Sequence, residues 1–160
     1  MLPSGGHFGS GFVQYVEWGP KGSQIIFIHK NNIYYKSDVD SLPIQLTETG
    51  VTNVVYNGYS DWVYEEEILE QEKAFWVSPE GSHLVFAQIN DTEVDIITWP
   101  FYGEYQNVSA SNQYPSQVAL KYPKPGRNNP IVNIFVMNLN ETVENIEIIE
   151  VTPPEDISKQ

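Results

Sequence analysis

The sequence contains no cysteine among its 160 residues. This absence excludes disulfide bonds, zinc–thiolate sites and thiol nucleophiles together. Basic residues are also scarce, with 8 Lys and Arg against 21 Asp and Glu, for a formal net charge of −13. Nucleic-acid binding uses Lys and Arg to neutralise phosphates, so the charge balance argues against that class. High net charge mostly serves solubility, and we apply a functional interpretation only to one local acidic cluster.

Long apolar segments and metal or catalytic motifs are missing as well. No apolar run approaches the roughly 18 residues of a membrane span, and residues 1–6 lack the features of a signal peptide. His7, His29 and His83 are scattered without a His-Glu-x-x-His motif, and no Gly-x-Ser-x-Gly elbow occurs. The sequence therefore predicts no metal site, no cofactor and no catalytic residue within this chain.

An internal repeat is the clearest pattern that is present. Trp18–Phe27 matches Val77–Phe86, with Pro, Gly, Ser and Phe recurring at an offset of 59 residues. Each copy predicts a strand, a tight turn and a second strand, because Pro presets the turn and Gly accepts a positive φ. A hairpin repeated at this period is typical of β-propeller blades.

Other segments also favour an all-β fold. Residues 92–130 contain two Tyr-Pro pairs and predict an extended arm. Asp61–Glu70 predicts a short acidic helix with Ser60 or Asp61 as its N-cap. Beside the repeat, short strands are predicted at Gln24–His29, Asn32–Lys36 (a hairpin turning near Lys30-Asn31), Ile44–Leu46, Val54–Tyr56, Lys73–Val77, His83–Ile89, Ile131–Met137 and Glu147–Val151.

The chain length limits how much of a propeller can be present. A blade needs about 40–50 residues, so 160 residues supply about three blades. We therefore expect an all-β partial β-propeller, in which residues 14–160 are a fragment of a larger propeller domain. Residues 1–13 do not resemble a blade, and we interpret them as a linker or an artefact of the gene model.

Three consecutive carboxylates, Glu65 to Glu67, follow an aromatic-rich turn. Crowded like charges are relieved by a cation, and a peptide N-terminal ammonium offers three donors to two carboxylates and a tyrosine or water. Adjacent α-helical residues point about 100° apart, so two of the three glutamates could converge on one point. The alternative is that they decorate a helix N-terminus, each gaining about 0.3–1 kcal/mol from the helix dipole.

Three Asn-x-Ser/Thr sequons begin at Asn90, Asn107 and Asn140. Chance yields about one such triplet in a chain of this length, so three sequons indicate an exported, glycosylated protein.

The motifs together resemble the N-terminal propeller of the dipeptidyl peptidase IV family, which includes fibroblast activation protein and inactive, channel-associated relatives. The resemblance spans about residues 14–140. The residues that carry it are Asp61–Glu67, Trp76–Gly81, Asn90–Val94, Gln113–Pro115, Tyr122–Gly126 and Asn129-Pro130.

This resemblance implies an eight-bladed propeller that caps an α/β-hydrolase domain. It also implies an enzyme that removes dipeptides from peptide N-termini, with a preference for Pro or Ala as the second residue. The second and third glutamates of the family triplet bind the substrate ammonium, and they match Glu66 and Glu67, with Glu65 and Tyr64 as supporting residues.

Residues 93–121 match an arm that helps such proteins form homodimers. Its tip, 103–112, is longer than the family pattern and includes the Asn107 sequon, which puts dimerisation through the arm in doubt. Lys124-Pro125 also departs from the pattern.

The family's catalytic Ser, Asp and His belong to the hydrolase domain, so we expect this chain to be inactive alone. The implied partners are peptides with a free N-terminus and the C-terminal hydrolase domain. The implied location is extracellular, either secreted or as the ectodomain of a single-pass membrane protein. The alternative function is that of a catalytically inactive family member acting as a binding or channel-accessory ectodomain.

Overall fold

The computed structural model describes residues 12–102, 114–140 and 146–157. Within these ranges no helix is long and apolar enough to cross a bilayer. One helical turn, Tyr64–Ile68, lies between β5 and β6. The strands are β1 Val13–Trp18, β2 Ile25–His29, β3 Asn32–Lys36, β4 Ile44–Gln45, β5 Val55–Asn57, β6 Phe75–Val77, β7 His83–Asn90, β8 Ile96–Phe101, β9 Ser116–Lys121, β10 Ile131–Asn138 and β11 Ile148–Glu150.

The first sheet is an antiparallel meander in the order β1-β2-β3-β4. Lys30 and Asn31 connect β2 to β3 with φ values of 50° and 60°. Two successive positive φ values define a type I′ turn, which matches the twist of a two-residue hairpin. The predicted hairpin and the position of its turn are therefore confirmed.

The second sheet is built around β7 and contains an interrupted edge strand. β10 pairs along one side of β7 and carries β11 on its far edge. On the other side, β5 pairs with one end of β7 (Val55 opposite Asn90) and β6 with the other end (Val77 opposite Leu84). β5 and β6 are thus two halves of one edge strand. Residues 58–74, named here the acidic loop, leave the sheet between them.

The internal repeat is reproduced in the pairing of the strands. Trp18 lies opposite Ile25 in the first copy, and Val77 lies opposite Leu84 in the second, at the same offset of 59. Both predicted turn glycines have positive φ, 61° at Gly22 and 69° at Gly81. The all-β prediction is confirmed, and the described residues form two blade-like sheets and a separate two-stranded ribbon.

The hydrophobic core joins the two sheets. Tyr15 meets the Phe75 ring edge-on, with 5.9 Å between ring centroids. The side chains that are fully or almost fully buried come from both sheets, namely Ile26, Ile28, Ile33, Phe75, Leu84, Phe86 and Met137. Burial of this apolar surface is the dominant favourable contribution to holding two such sheets together.

A buried polar network crosses the same junction. Asn57 is fully buried, and its side-chain oxygen accepts hydrogen bonds from Gln88 Nε2 (2.9 Å) and Thr49 Oγ1 (3.1 Å). Its amide donates to the Asn31 carbonyl (3.1 Å) and to Asn32 Oδ1 (3.2 Å). All four hydrogen-bonding capacities of the amide are satisfied, which offsets the cost of burying it.

The arm between β7 and β10 contains regular structure that the sequence analysis did not predict. β8 and β9 form a two-stranded antiparallel ribbon, in register from Ile96 opposite Lys121 to Phe101 opposite Ser116. The predicted arm is thus a ribbon near its base. The tip, including the Asn107 sequon, lies outside the described residues.

Gly58 generates a stability prediction because it lies at a close approach of the two sheets. Its φ is +65°, and a Cβ there would lie 2.9 Å from Ile33 Cδ1, whereas a Cβ at Gly22, φ +61°, would meet nothing within 4 Å. Left-handed backbone costs an L-residue about 1–2 kcal/mol, and overpacking adds about 1–3 kcal/mol. We expect Gly58→Ala to lower the free energy of unfolding by about 2–4 kcal/mol in urea titrations of the complete protein.

Gly22→Ala is the matched control, since it introduces the backbone strain without the steric clash. It should lower the free energy of unfolding by about 1–2 kcal/mol. Equal losses for the two variants would show that the contact with Ile33 carries no cost.

Candidate functional site

The acidic loop is held closed where it leaves the sheet. The Ala74 N–H donates to the Gly58 carbonyl (3.0 Å), and Gly58 and Ala74 each form a 2.9 Å backbone hydrogen bond with Ala87 of β7. The next pair outward, Tyr59 and Lys73, forms a β-bridge. The loop therefore begins and ends on one short antiparallel neck.

A π-helical turn, Tyr64–Ile68, lies at the end of this neck. The Leu69 N–H donates to the Tyr64 carbonyl at 2.7 Å, an i→i+5 bond. The helix predicted over Asp61–Glu70 is present but shorter. Trp62 and Val63 begin it in α geometry, Tyr64–Ile68 continue it as a π turn, and it ends before Glu70. Such π turns occur frequently at functional sites. We refer to Tyr64–Ile68 as the acidic turn.

Asp61, one of the two predicted cap residues, supports the start of the acidic turn. Its Oδ1 accepts a hydrogen bond from the Tyr64 N–H (3.0 Å), and its carbonyl accepts one from the Glu65 N–H (3.0 Å). The Ser60 hydroxyl instead donates to the Gln71 carbonyl across the neck. The sequence thus identified the capping carboxylate but not the role of the serine.

The three glutamates of the turn have different environments. Glu66 and Glu67 are exposed, whereas Glu65 is half-buried. Burial, followed by the charges of Glu72 and Glu66, raises the pKa of Glu65. A π turn holds more residues than an α turn, so successive side chains diverge by less than about 100°. Glu66 and Glu67 are adjacent on this turn, and both side chains reach solvent.

No cation in the described part of the chain forms an ion pair with these glutamates. Lys73, on the neck of the same loop, instead contacts Glu17 of β1, with Nζ 2.9 Å from one carboxylate oxygen and 3.2 Å from the other. Among residues 12–102, 114–140 and 146–157, no side chain therefore balances the negative charge of Glu66 and Glu67 in an ion pair.

Aromatic side chains brace the acidic turn from beneath. Tyr64 packs on a buried cluster that includes Ala87 and Ile89 of β7. Burial raises its phenol pKa, with a further contribution from Asp61. Trp62 packs against Tyr122 at the base of the arm, with ring centroids 4.6 Å apart. Tyr64 thus packs against the sheet below the turn, and its predicted support of ammonium binding stays a prediction.

A buried carboxyl pair behind the turn was not predicted from the sequence. Asp61 and Asp91 have exposures of 2% and 1%, and their side chains are within hydrogen-bonding reach of each other. They are 30 residues apart in sequence. Asp61 was predicted only as a cap and Asp91 only as part of a sequon, so no local pattern pointed to their contact.

Of the predicted glycosylation sites, two lie in the described residues. Asn140 is exposed, and Asn90 is half-buried at the end of β7. The side-chain oxygen of Asn90 accepts hydrogen bonds from the backbone and hydroxyl of Thr92, the third residue of its sequon.

Comparison with known proteins places this architecture in a family. The sequence matches the family model of the dipeptidyl peptidase IV (DPP IV) N-terminal region over residues 2–160. The chain belongs to the dipeptidyl peptidase IV family. The sequence-based resemblance is thereby confirmed.

The relatives include proteins named as dipeptidyl peptidases and one named as an inactive dipeptidyl peptidase. The chain is 42% identical to dipeptidyl peptidase 4 of Felis catus over 88% of its length, and 42% identical to venom dipeptidyl peptidase 4 of Apis mellifera over 88%. It is 39% identical to inactive dipeptidyl peptidase 10 of Rattus norvegicus over 92%. It spans 18%, 18% and 17% of these proteins, respectively.

A solved structure supports the same assignment. The fold matches the crystal structure of Porphyromonas gingivalis dipeptidyl peptidase 4 with a TM-score of 0.74 and 28% sequence identity. The match covers 90% of this chain and 19% of that structure. The two blade-like sheets are therefore part of a β-propeller N-terminal region.

Proposed function

We propose that the protein carrying this chain is a serine-type dipeptidyl peptidase, in which Glu66 and Glu67 bind the free N-terminal ammonium of the peptide substrate. The observation that carries this proposal is a pair of exposed carboxylates, without an ion-pair partner among the described residues, on a turn that is fixed by its neck and by aromatic packing. Membership of the family supports the peptidase activity.

The chemistry of the pair suits an ammonium ligand. An ammonium carries three donors, and each charge-assisted hydrogen bond to a carboxylate contributes about 1.5–3 kcal/mol. The mutual repulsion of Glu66 and Glu67 is relieved by a cation and not by a neutral blocked N-terminus, so the site discriminates between the two.

A fixed N-terminus also determines where the peptide is cut. A substrate that is held at its ammonium presents the bond after its second residue at a constant distance from the anchor. A serine nucleophile, with its Asp and His partners, would act there from a C-terminal α/β-hydrolase domain. Pro or Ala as the second residue is the preference that we propose.

Replacement of the anchor carboxylates tests this function. In the complete protein, we expect Glu66→Gln or Glu67→Gln to lower kcat/KM for free-amine Xaa-Pro substrates by about ten- to a hundredfold. That factor corresponds to the loss of one charge-assisted hydrogen bond. Measured rates of dipeptide release, with the serine nucleophile titrated to normalise active enzyme, give the comparison.

Glu70→Gln provides the matched control, because Glu70 is exposed, has the same chemistry and lies just beyond the acidic turn. It should leave kcat/KM within about twofold of the wild type, and acetylation of the substrate should abolish cleavage by all forms. Unchanged activity in both anchor variants would refute the proposed role of Glu66 and Glu67.

An inactive binding or channel-accessory ectodomain is the second candidate function. It is favoured by the similarity to the inactive relative, 39% identical, which is nearly as high as the similarity to the peptidases. Labelling of the complete protein with a serine-reactive fluorophosphonate separates the candidates. An inactive protein would bind free-amine peptides through Glu66 and Glu67 but would take up no label and release no dipeptide.

We further propose that the β8–β9 ribbon contributes to a homodimer. Cross-strand pairing places Ile97 opposite Leu120 and Trp99 opposite Val118, on one face of the ribbon. Trp99 is 41% exposed and Phe101 of the same face is 56% exposed. A contiguous apolar face of this kind on a two-stranded ribbon is typical of a protein–protein contact.

A charge on this face should break the dimer. We expect Trp99→Glu to convert the complete protein from dimer to monomer in sedimentation velocity experiments, because a buried unpaired carboxylate opposes association. Thr98→Glu is the control, since Thr98 lies on the opposite face of the ribbon. Dissociation by both variants, or by neither, would contradict a contact specific to the apolar face.

The three sequons support a proposed extracellular location, as a secreted glycoprotein or a single-pass cell-surface ectodomain. Asn90 and Asn140 lie where the structure describes the chain, and neither is buried. The honeybee relative, named as a venom protein, is consistent with secretion within the family.

A further inference from the structure

The acidic loop and the arm are both insertions into the second sheet, and they meet behind the acidic turn. Asp61 is the first residue after the neck of the loop, and Asp91 is the first residue after β7. The backbone of Asp91 is fixed, because its N–H donates to the Val54 carbonyl (2.8 Å) and its carbonyl accepts from the Val94 N–H (3.0 Å). The two aspartates thus belong to different insertions, but their side chains meet at the same buried site.

The hydrogen bonds around this pair are incomplete without a proton. Asp61 Oδ1 accepts the Tyr64 N–H, but Asp61 Oδ2 and Asp91 Oδ1 are buried and accept no hydrogen bond from any donor in the described residues. Two ionised carboxylates have no hydrogen to share. One proton between the two side chains supplies the missing bond and removes one of two buried like charges.

The surrounding titratable groups are consistent with a single negative charge on the pair. Burial, together with the charge of Asp61, raises the pKa of Asp91 to about 7. Burial and the charges of the pair also raise the pKa of Tyr56 on β5, to about 12. Burial and the charge of Asp61 raise the pKa of Tyr64 in the acidic turn, so this phenol is neutral. Lys121 of β9 acts on Asp91 from a distance, while its ammonium donates to the Val94 carbonyl at 2.8 Å.

We propose that Asp91 is a positioning residue for the amine anchor, because it shares one proton with Asp61 and so holds Asp61 in place as the cap of the acidic turn. The inference rests on the proposed role of Glu66 and Glu67. When the shared proton is lost, repulsion between the buried carboxylates displaces Asp61 from the Tyr64 N–H. The turn then loosens, and binding of the ammonium weakens.

The decisive variant is Asp91→Asn, which places a permanent hydrogen-bond donor beside Asp61 and retains the Asn90 sequon. The probe is the dipeptide Ala-Pro with a free amine, and its Kd for the complete protein is measured calorimetrically from pH 5.5 to 8. The ammonium of the probe itself titrates near pH 8, and this effect cancels in the ratio of the two Kd values. We expect the Kd of the wild type divided by the Kd of D91N to rise by about fivefold between pH 5.5 and 8. A factor of this size corresponds to the loss of one cap hydrogen bond.

Asp95→Asn is the matched control at the base of the same arm. The hydrogen bond and charge of Arg127 lower the pKa of Asp95, so this residue stays ionised over the whole range. The ratio of wild type to D95N should therefore be independent of pH. A flat ratio for D91N as well would overturn the positioning role.

Thermal unfolding tests the shared proton without any ligand. Because the pKa of Asp91 is raised in the folded state, the folded protein binds more protons than the unfolded chain between about pH 4 and 7. Stability from this group is complete below pH 4 and is lost as the pH rises to about 7. The Tm of the wild type relative to D91N should fall over that window, and a constant difference would overturn the shared proton.

The two measurements separate the possible failures. If Glu66 and Glu67 do not bind the ammonium, Glu66→Gln and Glu67→Gln will leave peptide binding unchanged. The dependence of the wild-type Tm on pH, relative to D91N, would still be observed. If D91N does not fold, Asp61→Asn serves in its place, because it keeps an acceptor for the Tyr64 N–H and offers a donor to Asp91. It should remove the same pH dependence of Tm, and its failure to do so would overturn the proposal.

Discussion

The structure depends on three backbone hydrogen bonds among Gly58, Ala74 and Ala87, at the point where the edge strand is interrupted. Gly58 and Ala74 bond to each other and to Ala87, so β5 and β6 remain aligned on β7 although the acidic loop separates them. The closure leaves little space, since Ala74 and Ala87 are buried and a Cβ at Gly58 would meet Ile33. Small residues at these positions allow a sheet edge to carry a rigid insertion.

The same junction explains why the two sheets behave as one support for the loop. Asn57, the last residue before the interruption, uses all four hydrogen-bonding capacities to link β5 and β7 to the hairpin turn of the first sheet. On the other side, Gln24 donates to the Gly81 carbonyl and so connects the two repeated turns. The acidic loop is fixed because β5 and β6, on either side of it, are both paired with β7. It therefore needs few contacts of its own, and a five-residue helical turn is sufficient to carry Glu66 and Glu67.

The sequence predicted elements that depend on local chemistry and missed those that depend on pairing. The turn at Lys30-Asn31 was predicted because these two residues separate two segments with strand character. β5 and β6 were predicted as strands, but not that both pair with the same side of β7. Their alignment depends on how each strand is paired with β7, and neither segment alone contains that information. The ribbon strand β8 was missed because Pro100 weakens a strand signal, although Pro is tolerated on the edge of a two-stranded ribbon. The i→i+5 bond of the acidic turn has no local signature.

Charge distribution leaves Glu66 and Glu67 exposed and without an ion-pair partner among the described residues. The excess of carboxylates over cations forces the fold to satisfy its acidic groups in different ways. Glu17 and Asp95 form ion pairs with Lys73 and Arg127. Asp61 and Asp91 have no ion-pair partner in the described part of the chain, and we propose that they share a proton instead. Exposed carboxylates are stabilised by water alone, so they can exchange water for a charged donor at little cost. Because their environments differ, carboxylates support the structure behind the turn and, as we propose, recognise the substrate ammonium at its exposed side.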